Sequence, residues 1–121
     1  MKKTLLILSI LAATLLFAQG DPHVMAGFVY NSGHSLISGD CLDYKCYIEG
    51  KNDTLRYPDD IGTASYDTTR GLWMVQIADF EPLSGDVFVI DFYDDCDEEI
   101  GAETAAINMD VPAQTIDTVI L

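Results

Sequence analysis

Residues 41–49, CLDYKCYIE, decide the fold. Leu42, Tyr44, Cys46 and Ile48 alternate with Asp43, Lys45, Tyr47 and Glu49. Successive side chains on a strand point to opposite faces, so this period of two predicts one buried and one wet face. The same period continues on both sides. Upstream, Val24 to Tyr30 reads as a strand with Val24, Ala26, Phe28 and Tyr30 on one side, and Asn31-Ser32-Gly33 ends it in a turn. Downstream, Gly50 to Asp53 is a turn, Thr54 to Tyr57 a short strand, Pro58 to Gly62 a break, and Ala64 to Thr68 a short edge strand. Leu72 to Asp79 sets Trp73, Val75 and Ile77 against Leu72, Met74, Gln76 and Ala78, which makes Trp73 a core residue. Val87 to Tyr93 sets Phe88, Ile90 and Phe92 against Val87, Val89, Asp91 and Tyr93. Asp94 to Glu99 is an acidic turn, and Gly101 to Met109 and Thr115 to Leu121 are the last two strands, separated by Val111-Pro112-Ala113. Only Glu103 to Asn108 has helix-forming composition, and Thr104 and the flanking pattern speak against a helix there. The expectation is an all-β chain, an antiparallel two-sheet sandwich of about seven strands.

The start of the chain reads differently. Lys2 and Lys3 precede an apolar run of about 14 residues, Thr4 to Phe17, and then come Ala18 and the polar Gln19-Gly20-Asp21. A basic start, a short apolar segment and a small residue before the cut are the layout of a secretory signal. A bilayer-spanning helix needs roughly 20 residues, so residues 1–18 are read as a cleaved signal peptide. No cysteine follows the run to carry a lipoprotein anchor. Residues 19–121 are then one β-sandwich domain, secreted, periplasmic or at the cell surface, with no membrane attachment after cleavage. Removing 18 of the 121 residues leaves 103, a single-domain length that buries roughly two-thirds of its unfolded surface.

Charge narrows the partners. Beyond residue 18 the basic residues are Lys45, Lys51, Arg56 and Arg70, four against 20 carboxylates, for a net charge of −16. Such a chain repels nucleic acid and anionic membrane surfaces. It suits cations, basic partners or plain solubility.

The residues with chemistry are few. Three cysteines, Cys41, Cys46 and Cys96, leave at least one thiol over or an intermolecular bond. Cys41 and Cys46 are five apart and point to opposite faces of a regular strand; Cys96 can partner either, and the pairing stays open. The run Asp94, Asp95, Asp97, Glu98, Glu99 reads first as a solvated hairpin tip. Its alternative is a shallow calcium site of Asp94, Asp97 and Glu99, since calcium takes six to eight oxygen ligands and a tight turn offers several at once. An EF-hand reading fails: counted from Asp95, the sixth position is Ile100, and Gly101 falls one late. Asp59-Asp60 is a weaker acidic pair. Cys41, Cys46 and His34 lie near one another in sequence, without the convergence that zinc needs. His23 and His34 are the two histidines; no G-x-S-x-G elbow presents Ser32 or Ser35 to either, so no catalytic residue is assigned. Of the tyrosines, Tyr47, Tyr57 and Tyr66 are expected at the surface, where they would offer a platform for sugar. Asp91, inside an apolar strand, reads as an edge-protecting charge or a hydrogen-bonding group. Asn52-Asp53-Thr54 fits a glycosylation sequon.

Two stretches carry a family resemblance. Gly27-Phe28-Val29-Tyr30, Gly33 and the strand Cys41 to Glu49 resemble the opening of a transthyretin-like or carboxypeptidase-regulatory-like sandwich. Gly71-Leu72-Trp73-Met74-Val75-Gln76-Ile77, Phe80 and Ser84-Gly85-Asp86-Val87-Phe88-Val89-Ile90 resemble the middle of immunoglobulin-like modules of secreted and surface bacterial proteins. Phe17-Ala18-Gln19 is similar to signal ends of some Gram-negative bacteria. The resemblance implies a structural, adhesive or ligand-presenting role and brings no catalytic motif. The expected function is thus a secreted non-enzymatic interaction or structural module with a protein or glycan partner, or else a ligand-binding domain for calcium or carbohydrate.

Overall fold

Two sheets face each other, each built from the alternating segments. The structure is a computed structural model that describes residues 22–60 and 62–121, so the expected signal at 1–18 lies outside the described residues. In the first sheet the central strand β1 (Val24–Tyr30) runs antiparallel to β5 (Leu72–Gln76), which pairs in turn with the edge strand β4 (Ala64–Asp67). Along the other side of β1 run β8 (Ala113–Thr115) and β9 (Val119–Ile120), both parallel to it. The second sheet is wholly antiparallel. It holds β2 (Leu42–Ile48), β3 (Thr54–Tyr57), β6 (Val87–Asp94) and β7 (Glu99–Ala106), in the order β3-β2-β6-β7. The fold is an all-β sandwich of nine strands among the described residues, several of them very short.

The inner faces supply the core. Leu42, Tyr44, Cys46 and Ile48 of β2 are buried, as their alternation predicts, and meet Phe88, Ile90 and Phe92 of β6 on the same sheet. From the other sheet come Met25, Val29, Trp73 and Val75. Trp73 is fully buried, stacks on Phe88 at 6.2 Å between ring centres, and meets Phe92 edge-on at 5.8 Å. The Tyr44 hydroxyl crosses the sandwich and donates to the Ser65 carbonyl at 2.7 Å. Burying each such large side chain stabilises the fold by about 1.5–3 kcal/mol.

On β1 the core face is Met25, Gly27 and Val29, while Val24, Ala26, Phe28 and Tyr30 are half-buried on the other side. Gly27 explains the choice of face. A Cβ there would come to 3.0 Å from both the Trp73 ring and the Ile116 carbonyl, so any other residue would push on the indole and the returning chain together.

Two departures from the expected boundaries have a local cause. The strand expected to reach Asp79 stops at Gln76, because the Gln76 Oε1 accepts the backbone N–H of His23 and of Ala78, both at 2.9 Å, and draws the chain away from the ladder. A 3-10 helix, Ala78–Phe80, follows, and Lys51 Nζ donates to the carbonyls of Phe80 and Glu81 at its end. Of the strand expected over Thr115 to Leu121, only Thr115, which closes β8, and Val119–Ile120, which form β9, are in strands; β8 begins at Ala113, inside the expected break, and between the two the chain bends around Ile116, whose side chain is buried and whose N–H donates to the Ala26 carbonyl. Glu103 to Ala106 belong to β7 in extended form, with an alternating burial pattern. Among the described residues no helix is long and apolar enough to cross a membrane.

Candidate functional site: a charged trough on the four-stranded sheet

The outer face of the second sheet follows from the alternation that fills its inner face. If Tyr44, Cys46 and Phe92 point inward, then Asp43, Lys45, Asp91 and Tyr93 point outward. The register lines them up in rows. Arg56 of β3 sits opposite Lys45 of β2, Lys45 opposite Asp91 of β6, and Asp91 opposite Ala102 of β7. The neighbouring row is Asp43, Tyr93 and Ile100. These side chains line an open trough of about 870 Å³. Pro58 and Asp59 also line it, held at the end of β3 by a turn in which the Asp60 carboxylate accepts the Arg56 N–H at 2.8 Å.

Its electrostatics differ from those of the whole molecule. Of the four basic residues beyond residue 18, Lys51 is spent on two carbonyls and Arg70 pairs with Asp67 at 3.0 Å. Lys45 and Arg56 make no ion pair among the described residues, and both are exposed. Tyr93 is 38 % exposed and Ile100 75 %, so a ring and an aliphatic side chain share this face with the two cations. The trough therefore offers donors, carboxylate acceptors and an apolar shelf on one surface.

The other expected site residues fall elsewhere. One carboxylate oxygen from each of Asp94, Asp97 and Glu99 lies within 4.8 Å of the others. Asp94 is not solvated, being 2 % exposed. Its Oδ1 accepts the N–H of Cys96 at 3.0 Å and of Asp97 at 3.3 Å, and so fixes the turn. Glu99 Oε1 accepts the Ser32 N–H at 3.3 Å. One oxygen from each of the three is at most half of the six to eight that calcium collects, and Asp94 already commits one of its oxygens to the turn. Cys41 and Cys96 form a disulfide, and Cys46 is a free thiol in the core. Burial and the nearby Asp60 charge push that thiol up to about 12, which keeps it protonated and inert. The grouping of Cys41, Cys46 and His34 considered for zinc is thereby excluded.

His23 is buried, and its Nε2 lies 2.8 Å from Gln114 Oε1, which also accepts the Asn108 N–H. That oxygen is an acceptor, so Nε2 donates to it, and Nδ1 has no partner among the described residues. His34 lies in an exposed turn at φ 62°. The aromatic expectation is corrected: Tyr57 and Tyr66 pack against the core and Tyr47 is half-buried, whereas Tyr93 is the exposed aromatic among the described residues. Alternation alone places Tyr93 outward; what it lacks is the cross-strand register that sets it beside Lys45 and Arg56.

No protein-family model, no curated protein and no solved structure matches this chain.

Proposed function

We propose that this protein is a non-enzymatic interaction module of the cell exterior, and that it binds its partner in the trough of the four-stranded sheet. The observation that carries this reading is the pair Lys45 and Arg56, without an ion pair among the described residues and on the same sheet face as the exposed Tyr93 and Ile100. An exposed mix of donors, acceptors and apolar surface in one concavity is how a binding site differs from ordinary solvated surface. The Cys41–Cys96 disulfide and the secretory layout of residues 1–18 support an oxidising, extracytoplasmic setting. Within the sandwich class, transthyretin-like is favoured over immunoglobulin-like. The constant-type immunoglobulin arrangement pairs its first two strands in one sheet, whereas β1 and β2 lie in different sheets. The test is an array of glycans and peptides probed with the wild type and with Ala102→Trp, which fills the trough floor. Ligands retained by the wild type should be lost by the variant at unchanged thermal stability. Equal retention by both would end this reading.

A second reading, a calcium-dependent module, has in its favour the close carboxylates of Asp94, Asp97 and Glu99. Calcium should then raise the melting temperature of the wild type and not that of an Asp97→Asn/Glu99→Gln variant. No rise in the wild type removes it.

A further inference from the structure

We infer that the outer edge of β7 takes an extended cationic segment of a partner protein, which joins the four-stranded sheet as a fifth strand. This edge is a different surface from the trough, and its assignment stands without the trough reading. Backbone groups are left over there. β7 is the last strand of its sheet, eight residues long, and pairs only with β6 among the described residues. In an antiparallel pair, alternate residues turn their N–H and C=O away from the partner strand. On β7 these are Ile100, Ala102, Thr104 and Ala106. The Thr104 N–H donates to the Glu103 carboxylate at 3.0 Å, and Gln114 Nε2 donates to the Ala106 carbonyl at 3.0 Å. Neither a loop nor a side chain meets the backbone of Ile100 or Ala102 among the described residues. All four residues are exposed and uncharged, and neither proline nor a bulge interrupts the strand. Such an edge is a template for a further strand.

Charge selects what that strand carries. No lysine, arginine or histidine follows Arg70 in the sequence, so β6, β7, β8, β9 and the turns between them bear carboxylates alone. On β7 itself Glu99 and Glu103 lie on the opposite face from Ile100, Ala102 and Thr104, and Asp95, Asp97 and Glu98 are exposed in the turn before it. An added strand sets every second side chain beside Glu99 and Glu103 and the intervening ones beside Ile100, Ala102 and Thr104. The fitting segment therefore alternates lysine or arginine with uncharged residues.

Other occupants fit less well. A second copy pairing β7 with β7 brings glutamates against glutamates between two acidic chains, and like charges across strands are destabilising. The same carboxylates repel a nucleic-acid backbone or an anionic membrane.

The experiment is an amide-resolved NMR titration with a decapeptide of alternating lysine and valine. It is run beside the fully N-methylated form, which keeps the charge but cannot donate to a ladder, and beside the glutamate–valine analogue. The lysine peptide should shift residues 99–106. The N-methylated form should bind at least about tenfold more weakly, the worth of two backbone hydrogen bonds, and the glutamate analogue should not bind. Thr104→Pro, at an edge position whose N–H faces outward, should weaken the lysine peptide about tenfold, with the urea midpoint as the folding control. Should that variant fail to fold, the N-methylated comparison decides. The assignment is overturned if the lysine peptide does not bind, if either control peptide binds as tightly, or if a folded Thr104→Pro binds as the wild type does. Shifts centred on Asp43, Asp91 and Tyr93 would put the peptide in the trough, overturning the edge and leaving the trough reading in place. Self-association of the wild type that Thr104→Pro abolishes would make a second copy the occupant and overturn the assignment as well.

Discussion

Cys46, Tyr44 and Tyr66 show how far a side chain's chemistry depends on the face it occupies. Burial is the largest cause in each case: it pushes the Cys46 thiol up to about 12 and the phenols of Tyr44 and Tyr66 above 10.0, their ordinary value. A raised value means that the folded protein keeps its proton where the unfolded chain gives it up. The stability these groups contribute is whole below their unfolded values, near 9.0 for the thiol and 10.0 for the phenols, and drains away as pH climbs toward the folded ones. In an alkaline titration, part of the phenolate absorbance should therefore appear together with loss of the β circular-dichroism signal. Six tyrosines all ionising near pH 10 with that signal intact would contradict the burial. The inward placement of Tyr44 and Cys46 was readable from residues 41–49 alone, because the period of two is a local property. The partial burial of Tyr57 and Tyr66 was not, because it comes from their packing against the core and against each other, edge to face at 6.2 Å.

At the scale of elements, the β6–β7 hairpin is held from outside its own ladder. Cys96 at its tip is bonded to Cys41 at the start of β2, 55 residues away, and the Asp95 N–H donates to the Cys41 carbonyl at 2.8 Å. Closing a loop of that length restricts the unfolded chain and is worth about 4 kcal/mol. A Cys41→Ala/Cys96→Ala variant should lose about that much in urea unfolding while keeping its β spectrum. The unreduced wild type should expose one reactive thiol, and only on unfolding; an unchanged urea midpoint, or a thiol reactive in the native state, would contradict the pairing. Strand existence was legible in the sequence, down to the bounds of Thr54–Tyr57. The failures lie where a side chain or a neighbouring strand overrides the local pattern: Gln76 ending β5, β8 starting inside the expected break at Ala113, and the bend at Ile116 before β9. The cysteine pairing was likewise hidden, because it depends on β2 and β6 lying side by side.

For the whole molecule, the sign of the charge excludes more than it selects. Carboxylates spread over the surface favour solubility and discourage self-association. Against that background Lys45 and Arg56, without an ion pair among the described residues, stand out once the sheet is assembled. The sequence supplied Lys45, Arg56, Asp91 and Tyr93 as separate facts, and the register of β3-β2-β6-β7 makes them one surface. Salt should weaken the charged end of such a site more than the Tyr93 end, because only the former is Coulombic. The most direct measurement is the amide-resolved NMR spectrum of the protein titrated with a glycan or peptide that the wild type retains on the array. The trough predicts shifts clustered at Lys45, Arg56, Asp91, Tyr93 and Ile100, with the five-stranded sheet unmoved. Shifts centred on that other sheet or on the Asp94–Glu99 hairpin, or none at all, would contradict it.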